Sequence, residues 1–243
     1  MLRGLYHLAF NPRARAEWRW LVLTAITKRL MPGYRLPWPQ ISWWNDERFN
    51  SFLQRFDEFE GHNSERRWTI PQLCKLCKNV PGDTAECGVY VGTSSYLIAT
   101  AFPDRTHHGF DSFQGCSAPS GRDNGYFYTG TMPCSLEDAK QNLNDCPNIK
   151  LYKGWIPDRF FEIQDRRFAF VHIDVQQDQP TLDSLSFFYP RLNEGGIIVF
   201  DDYGFSNCVG ARAAIDDFMA DKPERIVELP SGSSFIVKQV PSL

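Results

Sequence analysis

The chain has 243 residues, 42% hydrophobic and 23% charged, with a formal net charge of −3. That composition is globular, which excludes wholesale disorder, and it lacks the basic excess of a nucleic-acid binder, so no nucleic-acid partner is expected. Seven cysteines at irregular spacing do not read as a secreted disulfide framework.

Residues 1–35 interleave Arg3, Arg13, Arg15, Arg19, Lys28 and Arg29 with Trp18, Leu21, Val22, Ala25, Ile26 and Leu30. The three- and four-residue spacing of the apolar positions predicts an amphipathic helix. Such a helix packs on the main domain or on a second subunit of a homo-oligomer, or it rests peripherally on an anionic membrane surface. No apolar run approaches the ~20 residues of a bilayer span, and no leader pattern is visible. A cytoplasmic location is therefore expected, with contact at the inner membrane surface through residues 1–35 as the variant. A Pro- and Trp-rich stretch at 32–44 reads as a linker, and 45–79 as two helical pieces broken around 61–63. Within the second piece, Cys74 and Cys77 read as two small apolar residues on a helix face rather than as a metal or redox pair.

From Pro81 short apolar runs alternate with helical patterns, the signature of βαβ units. Strands are expected at 84–89, 106–111, 149–153, 168–174 and 196–201. Helices are expected at 94–101, 135–143, 157–163, 180–191 and 209–220. Two closing strands, 225–229 and 234–239, flank the Pro-Ser-Gly turn at 230–232. The fold class is α/β: a doubly wound Rossmann-like sheet of about seven strands with a C-terminal antiparallel hairpin. A helical extension (1–62) precedes the sheet domain (63–243). A closing hairpin of this kind fits S-adenosylmethionine-dependent methyltransferases better than simple dinucleotide domains.

Ligands of open parallel sheets bind beyond the carboxyl ends of the strands. Glu86-Cys87-Gly88-Val89-Tyr90-Val91-Gly92-Thr93-Ser94 is a strand that turns into a helix. Its glycines allow close backbone approach, and Glu86 can receive the ammonium of an amino-acid moiety. Asp111, followed by Ser112, ends the next strand, where a carboxylate grips a ribose diol; capping a helix is its other reading. Lys153-Gly154-Trp155 offers a glycine and an aromatic to a purine, or a core tryptophan. The fourth and fifth strands end in Asp174 and in Asp201-Asp202-Tyr203. Three neighbouring carboxylates repel one another unless they share a cation, and oxygen ligands suit Mg²⁺. Asp201 and Asp202 could instead cap the following turn.

These motifs, from about Asn63 to the C-terminus, resemble the macrocin O-methyltransferase (TylF-like) family in order and spacing. The resemblance implies S-adenosylmethionine as cofactor and methylation of a sugar hydroxyl with Mg²⁺ help. It also implies that Glu86 and Gly88 touch the methionine part, that Asp111 holds the ribose, and that Asp174, Asp201 and Asp202 bind the metal. Tyr90, Gly92, Thr93, Ser94, Ser112, Gly154, Trp155 and Asp174 complete the expected cofactor set. One departure stands out: the family's Asp-x-Asp-x-Tyr is here Asp174-Val175-Gln176-Gln177-Asp178.

Asp174 is the expected general base. His172, two positions earlier on the same strand face, is read as structural. The long Tyr-rich stretch 115–133 is expected to close over a small-molecule or glycan acceptor. Gln176, Asp178, Tyr126, Tyr128 and Tyr203 are the candidate acceptor contacts. Two rivals remain open at this point: a nicotinamide-dependent oxidoreductase, and a cofactor-binding protein whose metal site has degenerated.

Overall fold

The computed structural model describes residues 12–36, 38 and 41–239. Arg3 lies outside them, as do Pro37 and Pro39 of the stretch read as a linker. The chain divides into two compact units between Phe52 and Leu53.

In the first unit, helix α1 spans Pro12–Leu30. At 100° per residue, Arg19 and Arg29 fall inside the arc swept by Trp18, Val22, Ile26 and Leu30. Apolar and basic side chains therefore share one side, and the separate faces expected of an amphipathic helix are absent. A short 3-10 turn, Ser42–Asn45, leads into α2, Glu47–Arg55.

The second unit carries α3 (Ser64–Leu76) and a seven-stranded sheet in the order β3-β2-β1-β4-β5-β7-β6. The strands are β1 Asp83–Cys87, β2 His107–Asp111, β3 Ile149–Lys153, β4 Phe168–Ile173, β5 Leu192–Phe200, β6 Val227–Glu228 and β7 Ser234–Val237. The first five run parallel, β7 pairs antiparallel with β5, and β6 antiparallel with β7. Crossing helices are α4 Thr93–Ala101, α5 Leu136–Asn142, α6 Asp178–Phe188 and α7 Val209–Met219. The expected helix at 157–163 is a turn followed by a 3-10 segment, Phe160–Ile163.

Every residue of β4 is buried, as a central parallel strand with both faces covered must be. A cluster of aromatic rings fills the core on one side: Phe110, Phe160, Phe168 and Phe188 meet mostly edge to face, with centroids 5.0–6.3 Å apart. This packing fixes the strand ends that face solvent beyond Cys87, Asp111, Ile173 and Phe200. Strand order reverses beside β1, so the crevice opens between the ends of β1 and β4.

Candidate active site

A cleft of about 810 Å³ occupies that crevice. Its floor is the β1–β4 junction. Gly88 sits there at φ +88°, and a Cβ added to it would stand 1.8 Å from the Asp174 carbonyl oxygen. Only glycine permits both the left-handed backbone and this approach. Of five non-glycine residues at positive φ among those described, three follow strands at the cleft: Tyr90 (51°) after β1, Phe113 (54°) after β2 and Gln176 (56°) after β4. Such conformations gather where the surrounding structure imposes them on a site.

The β1 turn is tied to the end of β2. Asp111 Oδ2 accepts from the Tyr90 N–H at 2.8 Å, and Oδ1 accepts from the Phe113 N–H at 2.7 Å. Burial raises the Asp111 carboxyl against these hydrogen bonds. Gly88, Tyr90, Thr93, Ser94, Asp111, Ser112 and Trp155 all line the cleft. Thr93 Oγ1 is buried there with no hydrogen-bond partner among the described residues, a polar atom a ligand could satisfy. Ser94 Oγ accepts from Arg67, whose guanidinium also grips Glu58 through two nitrogens.

Other expected cofactor residues stand away from the cleft lining. Glu86 is wholly buried. Its Oε1 meets His172 Nδ1 at 2.8 Å, and its Oε2 accepts from Ser95 and faces His107 at 3.9 Å. Burial alone would raise Glu86, but the His107 and His172 hydrogen bonds outweigh it and bring the carboxyl down to about 2. Its charge is thus spent inside the sheet rather than on a ligand. Gly92 faces the Leu143 side chain, and Gly154 faces Arg159; both shape turns behind the lining.

His172 joins two strand ends. Its Nε2 faces Asp201 Oδ1 at 3.5 Å. Burial alone would lower His172, yet Asp201 and Glu86 push it up to about 10, so the two carboxylates favour its protonated form.

Asp174, Asp201 and Asp202 do converge: one oxygen of each lies within 4.8 Å of the others. Asp174 and Asp202 line the cleft, while Asp201 is turned beneath it. Burial, then repulsion from Asp201 and Asp202, lifts the Asp174 carboxyl well above its usual range. Burial and Asp201 push Asp202 up to about 6. Asp201 moves the other way: burial opposes its charge, but Arg66 and His172 hold it down.

A divalent cation needs carboxylate oxygens that are free to face one point. Here most are already engaged. Asp201 Oδ2 accepts from Arg66 Nη1, and Oδ1 accepts from Ser233 Oγ at 3.2 Å. Gln176 donates its side-chain amide to Asp174 Oδ1 at 2.6 Å and its backbone N–H to Asp202 Oδ2 at 2.9 Å. As folded, the cluster has the right residue types for Mg²⁺, but Arg66 or Gln176 already occupies one oxygen of each carboxylate.

Of the expected acceptor contacts, Gln176 and Tyr126 line the cleft. Tyr128 is exposed outside the lining. Tyr203 is buried, with its hydroxyl donated to Asp216 at 2.6 Å. Asp178 is the first residue of α6 and holds the long loop: its N–H donates to Asp123 Oδ1 at 3.0 Å and its Oδ2 accepts from Ser120 at 3.0 Å. Gln177 adds to this clasp through Ser117. At the loop's neck, Cys116 N–H donates to Thr131 and accepts at its carbonyl from Gly130.

Several lining residues escaped the sequence reading: Glu58, His62, Asn63, Arg66 and Arg67 before and within α3, and Phe205 beyond β5. Arg66 pairs with Asp201 135 positions away, and Arg67 with Ser94 27 positions away, so no local motif marks them.

A family model described as macrocin-O-methyltransferase (TylF) matches residues 73–227. Over 161 residues the chain is 27% identical to the 8-demethyl-8-(2,3-dimethoxy-alpha-L-rhamnosyl)-tetracenomycin-C 4'-O-methyltransferase of Streptomyces olivaceus, covering 59% of this chain and 60% of that protein. Over 163 residues it is 30% identical to the mycinamicin III 3''-O-methyltransferase of Micromonospora griseorubida, covering 59% and 62%. The match thus spans about three fifths of these relatives' length. Among solved structures, the O-methyltransferase NovP aligns with TM-score 0.65 at 24% identity, over 73% of this chain and 81% of that one. The calicheamicin methyltransferase CalS11 aligns with TM-score 0.64 at 19% identity, over 84% and 95%. Both likenesses concern the fold.

Proposed function

The chain belongs to the macrocin-O-methyltransferase (TylF) family, and on that premise we propose that it transfers the methyl group of S-adenosylmethionine to a hydroxyl of a sugar-bearing small molecule. Gly88, Asp111 and Asp174 all open into the same cleft at the β1–β4 crevice, and that observation carries the reading. An amino-acid-bearing sulfonium nucleoside suits an acidic cleft with a bare backbone turn. The rhamnosyl group in the name of the Streptomyces olivaceus relative supports a sugar acceptor.

In this reading Asp111, held rigid by the Tyr90 and Phe113 N–H groups, presents its remaining lone pairs to a ribose diol. Thr93 and Ser94, at the start of α4, face the methionine end, and Trp155 lies beside the purine. Bound there, S-adenosylmethionine supplies an electrophilic methyl on a cationic sulfur, which keeps the electron pair of the broken S–C bond. Tyr126, Phe127, Phe205 and Gln176 bound the acceptor side. Asp174 takes the proton of the acceptor hydroxyl as the oxygen forms its bond to carbon. Its Oδ1 is held by the Gln176 amide, which orients the carboxyl in the cleft for that transfer. Alignment at near-attack distance supplies the larger share of the acceleration, up to about 7–11 kcal/mol.

Calorimetry with S-adenosylhomocysteine, followed by labelled methyl transfer to a panel of rhamnosides and nucleotide-activated deoxysugars, tests the reading. Binding and transfer are expected. A folded chain that binds NAD but not S-adenosylhomocysteine would sink it. Binding without transfer to any sugar would instead favour the cofactor-binding rival, to which Gln176 in place of a carboxylate lends its weight.

A further inference from the structure

We infer that Arg66 is the resident cation of the acidic cluster and holds the place a divalent metal would need. Arg66 lies in the first turn of α3 and lines the cleft. Its Nη1 donates to Asp201 Oδ2 and its Nη2 to Asn63 Oδ1. The guanidinium carbon sits 5.0 Å from the centroid of the Phe205 ring, a stacked position that suits a planar, weakly hydrated cation. Side-chain exposure is 15% for Arg66 and 1% for Asp201, so solvent screens this pair little.

The neighbouring Arg67 is committed elsewhere, to Glu58 and Ser94. Arg66 reaches Asp201 Oδ2 from the cleft side, while His172 faces its Oδ1 from within the sheet. Gln176 completes the arrangement. Where the family pattern has a further carboxylate, this chain has a neutral amide that donates to Asp174. One negative charge fewer in the cluster matches a monovalent guanidinium better than a divalent ion. Arg66 also precedes the segment matched by the family model, which begins at residue 73. A metal entering the cluster must first expel Arg66, since the two cations repel across a few ångströms.

The test uses the full chain after exhaustive chelation, titrated with Mn²⁺ and read by the paramagnetic resonance of free Mn²⁺. Wild type is expected to bind Mn²⁺ at this site no tighter than about 1 mM, the range of weak oxygen-ligand sites. Arg66→Met should tighten binding by about 10- to 100-fold, the usual leverage of a group that contacts metal ligands. Arg66→Lys keeps the charge and should stay near wild type. Micromolar stoichiometric binding by wild type overturns the inference, as does an Arg66→Met variant that binds no tighter. If Arg66→Met shows no cooperative melt, the wild-type affinity decides alone. S-adenosylhomocysteine titration of the same samples reads the methyl-donor proposal separately, so wild type that binds both it and micromolar Mn²⁺ sinks only the role of Arg66.

Discussion

Replacing Gly88 by alanine concentrates two penalties at one atom. The new Cβ would lie 1.8 Å from the Asp174 carbonyl oxygen, whereas a carbon–oxygen contact settles near about 3.3 Å. The ends of β1 and β4 must therefore part by roughly 1.5 Å. The left-handed backbone adds about 1–2 kcal/mol, and overpacking of a rigid junction about 1–3 kcal/mol. The sum, about 2–5 kcal/mol, corresponds to a fall in Tm of about 4–20 °C for a domain of this size. Because Asp174 moves with the strand, methyl transfer should drop by about 100-fold or more, the effect of a misplacement near 1 Å. Differential scanning calorimetry and methyl-transfer kinetics on purified Gly88→Ala measure both. A variant with unchanged Tm and unchanged affinity for S-adenosylhomocysteine would refute the close β1–β4 approach on which the site is built.

Other substitutions probe separate parts of the cleft. Asp111→Ala should weaken S-adenosylhomocysteine by about 10²- to 10⁴-fold in calorimetry, since two charge-assisted hydrogen bonds at about 1.5–3 kcal/mol each are at stake; an unchanged affinity places the ribose elsewhere. Asp174→Asn should slow transfer by about 10²–10⁴-fold while S-adenosylhomocysteine affinity shifts far less, and near-wild-type turnover removes Asp174 from the role of base. His172, raised from 6.5 to about 10 in the fold, binds its proton more tightly when native. Its stabilisation is therefore full below pH 6.5 and fades as pH rises through about 10. Tm measured from pH 6.5 to 10 should fall more steeply in wild type than in His172→Gln, and parallel curves would contradict the Glu86–His172–Asp201 bridge. Phe188→Ala removes a fully buried ring from the aromatic core and should lower stability by about 3–5 kcal/mol in urea titration; a change under about 1 kcal/mol would mean the cavity collapses.

The strand ends were the most legible part of the chain. A run such as Phe168–Ile173 is apolar throughout because both faces of a central parallel strand are covered, and the polar residue that breaks the run must then mark the crevice. Asp111, Asp174 and Asp202 were found this way and do line the cleft. Where the reading failed, the cause was competition between long-range partners. Glu86 lies inside β1, one residue before its end, and two histidines from β2 and β4 claim its carboxylate. Asp178 falls where the family has a tyrosine, yet its partners are Ser120 and Asp123 in a loop some 55 positions earlier. Arg66 had no local cue at all, since a charged first turn of a helix usually faces solvent. Spacing along the chain reports the backbone path. It does not report which of several carboxylates a distant guanidinium will choose.

The clasp at the root of α6 also alters what the loop between Gly115 and Pro133 can do for selection. Ser117, Ser120 and Asp123 are fastened to Gln177 and Asp178, and Asn124 reaches the Ser206 carbonyl at 3.2 Å. The segment is thereby tied as a rampart to the root of α6. In the proposed reaction an acceptor meets Tyr126 and Phe127 in that wall, part of whose ordering entropy is settled at folding. Discrimination among acceptors then rests on contour, so exchanging ring sizes along the rampart should retarget the molecule while its donor half stays untouched.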